Sequence, residues 1–205
     1  MLISFFVVPA YLIGSLSFAV IISRLFGLPD PRKHGSGNPG ATNMLRTGRK
    51  SAAALTLLGD MSKGWLVVYL ARYFGSQYDM EIIATYCAAL AVFLGHLYPV
   101  FFGFKGGKGV ATALGVLLGI SLWLGLATLA SWLLVFLITR ISSLAALTAA
   151  TVAPIIGAYL IGGTLPVVVL CIISALIFWR HRTNIRRLLT GEEGHFPKTT
   201  APPSE

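Results

Sequence analysis

Four polar stretches of this 205-residue chain gather cations with hydroxyls or amides, two of them rich in glycine, a mixture suited to holding phosphate. In the first, His34 to Arg46, Gly35, Gly37 and Gly40 let backbone amides turn inward as an anion nest. Ser36, Asn38, Thr42 and Asn43 add side-chain donors, and Arg46 supplies a planar cation able to hold phosphate by two parallel bonds. The second runs from Gly103 to Thr112. There Lys105 and Lys108 flank Gly106 and Gly107 just before an apolar run, so a helix N-terminus and two lysines would converge on one anion. The third, Arg140 to Ser143, holds the pair Ser142 and Ser143, which reads equally as a helix cap. In the fourth, Arg180 to Glu192, His181 and Asn184 stand three residues apart and share a face if helical.

Better-known chemistries are not written here. Gly35-x-Gly37-x-x-Gly40 matches a dinucleotide fingerprint literally, but no strand precedes it, and no Lys-Ser/Thr follows Gly40 as a Walker loop requires. A His-x4-Asp acyltransferase pair is absent: five residues after His34, His96, His181 and His195 stand Pro39, Phe101, Arg186 and Thr200. No Cys/His/Asp cluster has metal-ligand spacing, so neither a metal nor another cofactor is expected. Cys87 and Cys171 lie inside apolar runs and read as small buried hydrophobes.

The elements that must position these stretches follow from composition. Apolar residues make up 56% of the chain and charged ones 11%, against roughly 25% charged in a soluble domain. Mean hydropathy is +0.79. A soluble, disordered or disulfide-stapled chain is excluded, and unbroken apolar runs argue against a β-barrel, leaving an all-α integral membrane protein. Charge-free runs cover Leu2–Ser23, Ile82–Phe104, Gly109–Thr139 and Ile141–Trp179, and Ser51–Ala71 is interrupted only by Asp60 and Lys63. The 39-residue run suits two helices turning at Gly162-Gly163, and the 31-residue run suits either one tilted span or two short ones turning near Ser121.

Charge decides between six and seven spans. With seven, every Lys and Arg except Lys63 and Arg72 falls on one side; with six, Arg180–Arg187 would lie on the wrong side. Seven transmembrane helices are therefore expected, with a periplasmic N-terminus, a cytoplasmic C-terminus and two short spans of about 12 to 17 residues beside a cavity. The same parity gathers all four polar stretches on the cytoplasmic side. It also accounts for the net charge of +9 without nucleic acid as a partner. Asp60 and Lys63, three apart, can pair within the second span, and His96 reads as a satisfied interface histidine. No cleavable leader is expected; residues 1–193 read as a single polytopic membrane domain and 194–205 as a polar, disordered tail.

Gly35–Asn43 with Arg46, Phe104–Thr112, Arg140–Leu144 and His181–Glu193, in this order and spacing, resemble the bacterial acyl-phosphate-dependent glycerol-3-phosphate acyltransferases, the PlsY family. Leu58–Gly64 and Gly95–Pro99 look like its lesser motifs. The resemblance implies a seven-helix enzyme of the bacterial inner membrane with its active site facing the cytoplasm. It implies transfer of a fatty acyl group from acyl phosphate, not acyl-CoA or acyl carrier protein, to the sn-1 hydroxyl of glycerol 3-phosphate. The products are lysophosphatidic acid and orthophosphate, and the partners are these two substrates and membrane lipid. Carried onto this chain, Ser36 and nearby amides would hold acyl phosphate, and Lys105 with the Gly106 and Gly107 amides would stabilise phosphate charge. Arg46 and Ser143 would hold glycerol 3-phosphate, while His181 and Asn184 would orient the acceptor or the reacting carbonyl. A general-base role for His181 is the second mechanism, and a transporter of a phosphorylated anion is the competing class.

Overall fold

A computed structural model of the chain describes residues 2–194, and its regular structure there is helical, with no strand among the described residues. The expected tail lies, from residue 195 onward, outside the described residues. The N-terminal apolar run forms α1 (Ser4–Gly14) and α2 (Phe18–Leu25), bent by 40° across the serine-rich break between them. A short α3 (Ala41–Leu45) precedes the 27-residue α4 (Lys50–Ser76); α5 (Glu81–Leu97) follows and ends in a 3-10 turn over Val100–Phe102. Then come α6 (Val110–Ile120), α7 (Leu122–Thr139), α8 (Ser142–Leu160), α9 (Thr164–Arg180) and α10 (Arg182–Leu189).

Both expected breaks are present. Ser121 is extended, and its hydroxyl accepts the Leu124 N–H at 3.4 Å, capping α7. Gly162 and Gly163 adopt φ of +68° and +76°, values glycine reaches without strain, and separate α8 from α9. Of the two short spans, only α6 is short: its 11 residues rise about 16 Å, half a hydrocarbon core. α7 has 18 residues, more than the 12 to 17 expected, because its C-terminus runs on to Thr139 without interruption. Among the described residues, three segments can cross a membrane by length and apolarity: Glu81–Phe102, α7 and α8. The count is five if α1 with α2, and α9 with α10, each form one bent span.

Glycine seams hold the bundle. A side chain at Gly64 would strike the Thr112 carbonyl, and one at Gly115 the Met61 carbonyl, so α4 and α6 touch backbone to backbone. Gly14 and Gly95 do the same for α1 and α5. Where lipid and core are equally apolar, such close packing replaces the hydrophobic effect as the force between helices. Phe93, Leu97, Val116, Leu124 and Leu170 fill the interior. Cys171 is exposed and Cys87 half-buried, against expectation, because an all-apolar run does not mark which helix face turns outward. α10 turns 62° away from α9 and shows Leu189 and three arginines outward.

Candidate functional site

The first polar stretch is a loop built around one buried amide. Asn43, on α3, accepts the Ser36 backbone N–H at 2.9 Å and donates its NH2 to the carbonyls of Pro31 and His34, both at 2.9 Å. Gly35 and Gly37 take φ of +59° and +69°. Asn43 thus spends its hydrogen bonds on the loop itself, leaving Ser36, Thr42 and Arg46 exposed and Asn38 and Gly40 half-buried at its rim.

The glycines of the second stretch answer to close approach. A side chain at Gly106 would strike the His96 carbonyl, and one at Gly107 would strike the His96 imidazole and approach Pro39 O to 2.9 Å. Gly107 therefore sits where the two loops meet. Its N–H donates to His96 O at 3.2 Å. Arg180 donates to Gly106 O at 2.7 Å and Gly107 O at 3.1 Å, with its guanidinium 5.7 Å from the Tyr98 ring centre. Lys105 is exposed at the loop tip, whereas Lys108 turns inward and donates to Asn184 Oδ1. Burial pushes the Lys108 ammonium down to about 8; Glu193 opposes the shift, and Arg180, Arg187 and Arg46 add to it.

The serines of the third stretch do not cap α8. Ser142 Oγ lies 3.4 Å from Thr42 Oγ1, and Ser143 Oγ donates to Glu193 Oε1 at 2.6 Å. Asn184, on α10, donates its NH2 to the same Oε1 at 2.5 Å. His181 is buried at the α9–α10 corner with Nδ1 2.8 Å from Ile177 O, so Nδ1 carries the proton and Nε2 the lone pair. Burial pushes its pKa down to about 4, outweighing the Ile177 bond; Lys108 and Arg180 push it further down and Glu193 pulls it up.

The contacts Thr42–Ser142, Ser143–Glu193–Asn184–Lys108, Arg180 to Gly106 and Gly107, and Gly107 against Pro39 stitch all four stretches into one cluster. Sequence reasoning missed two members. Arg180 entered only as an end of the fourth stretch and among the cations that set the topology, and Glu193 lay at the edge of that stretch with no partner in sight. Among the described residues no group of three His, Cys, Asp or Glu side chains could hold a metal ion. An assembly of amides, hydroxyls and cations around half-buried space can bind phosphate and stabilise oxyanion charge.

Comparison with known proteins agrees with this chemistry. A family described as glycerol-3-phosphate acyltransferase matches residues 4–191. The glycerol-3-phosphate acyltransferase of Thiobacillus denitrificans is 55% identical over 192 residues, covering 94% of this chain and 96% of that protein. That of Thioalkalivibrio sulfidiphilus is 57% identical over 205 residues, covering 100% and 99%. Among solved structures, PlsY (YgiH), an integral membrane glycerol 3-phosphate acyltransferase, matches in its glycerol 3-phosphate form with a TM-score of 0.89 and 41% identity, covering 96% of both chains. Its lysophosphatidic acid form matches with a TM-score of 0.87 and 40% identity, again covering 96% of both.

Proposed function

The chain belongs to the glycerol-3-phosphate acyltransferase family, and from that premise we propose that it transfers a fatty acyl group from acyl phosphate to the sn-1 hydroxyl of glycerol 3-phosphate. Lysophosphatidic acid and orthophosphate leave, and neither acyl-CoA nor acyl carrier protein serves as donor. The observation that carries the reading is the stitched cluster: two glycine loops, each with its own cations, meet at Gly107, and both substrates are phosphates.

Transfer is direct. The sn-1 oxygen attacks the acyl carbonyl, forming the new ester C–O bond; the bond from the carbonyl carbon to the phosphate oxygen breaks; the hydroxyl proton passes to the departing phosphate. The donor is already activated, so the protein contributes placement and charge. Ser36 with the amides of Gly35 and Asn38 receives acyl phosphate, while Gly37 and Gly40, whose N–H groups donate to His34 O and Asn38 O, hold the loop in its turn. Lys105, Lys108 and the Gly106 amide stabilise phosphate and the tetrahedral oxyanion, while Gly107, whose N–H donates to His96 O, lets the two loops approach. Arg46, Thr42, Ser142 and Ser143 hold glycerol 3-phosphate, and Asn184 with His181 orients the acceptor. Asn43 serves by shaping the loop. Positioning fits His181 better than general-base work, since a histidine whose pKa is about 4 is a poor proton acceptor at neutral pH.

The protein is placed in the bacterial inner membrane as one domain, residues 1–193. Seven spans are assigned to α1 with α2, α4, α5, α6, α7, α8 and α9, with the N-terminus periplasmic and the cluster cytoplasmic. Charge asymmetry supports this orientation. Purified protein incubated with labelled acyl phosphate and glycerol 3-phosphate is expected to release lysophosphatidic acid. Acyl-CoA in the same assay is expected to give none, and equal rates from both donors would refute the donor assignment.

A further inference from the structure

The mechanism leaves unused a charged cluster inside the bundle. Lys63, midway along α4, is buried and pairs with Asp60 Oδ1 at 2.8 Å. Its ammonium also donates to Leu16 O at 2.6 Å, a carbonyl freed by the break between α1 and α2, and lies 5.9 Å from the Phe18 ring centre. The third partner is His96 Nδ1 on α5, at 3.0 Å, with Asp60 Oδ1 3.5 Å from the same nitrogen. An ammonium has donors only, so Nδ1 accepts and the imidazole proton sits on Nε2. Nε2 lies against Gly107, the residue wedged between His96 and Pro39.

These contacts run in a line: helix break, Lys63, His96, second loop, first loop. We propose that Asp60, Lys63 and His96 are positioning residues for acyl transfer: Lys63 anchors the His96 ring, and the ring backs Gly107 so that the two phosphate-receiving loops keep a fixed separation. The proposal rests on the acyl-phosphate reading above. A buried ion pair is weak support for stability, since removing two charges from water costs about what their attraction returns. A geometric role accounts for its presence at this place.

The test is steady-state kinetics of the full chain in nanodiscs with acyl phosphate and glycerol 3-phosphate, for wild type, His96→Asn, Gly107→Ala and the double variant. Asparagine keeps an acceptor for Lys63 near the Nδ1 position and withdraws the ring atoms that back Gly107. His96→Asn is expected to lower kcat/KM toward both substrates by on the order of 10- to 100-fold, the scale of a small misplacement of reacting groups. The melting temperature is expected to stay within about 4 °C. Gly107→Ala is expected to cost several-fold less in the His96→Asn background than alone, because the crowded partner is gone. Costs that multiply to within about twofold, or a loss that follows the folded fraction, overturn the proposal. If His96→Asn does not fold, His96→Gln, which keeps a polar group near Nε2, is expected to retain kcat/KM within about threefold and to leave the cost of Gly107→Ala as large as in the wild type; a relief of Gly107→Ala by His96→Gln overturns the proposal. Wild-type protein that fails with acyl phosphate refutes the function itself; active wild type with unaffected variants refutes the positioning role alone.

Discussion

Lys108 gives the candidate site a pH signature. Its ammonium is the cation turned into the cluster, and burial holds its pKa at about 8 where lysine ordinarily lies near 10.5. The sign is fixed by charge: below pH 8 the group is cationic and attracts phosphate, and above it the charge is lost. A phosphate monoester is fully ionised by then, its second pKa being about 6, so the substrates add no titration of their own. For the free enzyme, kcat/KM is therefore expected to be level from pH 6.5 to 7.5, to halve near pH 8, and to fall about tenfold per unit beyond it. Lys108→Arg keeps the cation to above pH 12 and is expected to abolish the alkaline limb while retaining activity. Lys108→Met removes a donor and a charge, a change worth about 100- to 1,000-fold in kcat by analogy with oxyanion-hole deletions. The assay is initial-rate release of orthophosphate with acyl phosphate held well below its KM and glycerol 3-phosphate varied, in buffers of constant ionic strength. A limb near pH 8 that persists in Lys108→Arg, or a flat profile through pH 9.5 in the wild type, refutes the reasoning.

Other perturbations test neighbouring parts. Asn43→Ala strips the first loop of three hydrogen bonds, and is expected to raise the KM for at least one substrate and lower stability by about 1–3 kcal/mol, read by thermal melting. Gly115→Val forces a side chain into the Met61 carbonyl and is expected to cost at least the 1–3 kcal/mol of an overpacked core, lowering the melting temperature, while Gly162→Ala meets nothing nearer than Ala158 O at 4.0 Å and costs only the strain of its φ of +68°, about 1–2 kcal/mol. His181→Ala is expected to retain measurable turnover with an unchanged acidic limb; disappearance of that limb would make His181 the base. Cysteines placed singly at Asn38 and Asn184 are expected to react with the same membrane-impermeant reagent from the cytoplasmic face alone, and labelling of the two from opposite faces would refute the topology.

How much of this was legible in the amino-acid order depends on what each feature rests upon. Helix breaks at Ser121 and Gly162-Gly163 were readable because they are local, a capping hydroxyl in one case and left-handed glycines in the other. The Asp60–Lys63 pair was readable from helical spacing. The break between α1 and α2 was not, since its exposed Leu16 carbonyl is satisfied by Lys63, 47 residues away. Glu193 went unread for the same reason, its bond to Ser143 spanning 50 residues. Asn43 was seen as a ligand donor, yet it faces its own loop; a residue type gives bonding capacity and not direction. Which of Lys105 and Lys108 turns inward is likewise not encoded in their spacing.

The seam between α4 and α6 decides which parts of the bundle can yield and which cannot. With main chain resting on main chain at Gly64 and Gly115, no flexible methylene layer lies between these two helices to absorb a shift. The start of α6, and with it the lysine loop, is clamped like a fixed jaw. The side chains with room to rearrange lie on the outward walls of the bundle, such as α7, whose Leu134, Leu137 and Ile138 face away from the protein. A substitution that thickens the seam therefore shifts the lysine loop, whereas one on the outer face of α7 leaves it standing.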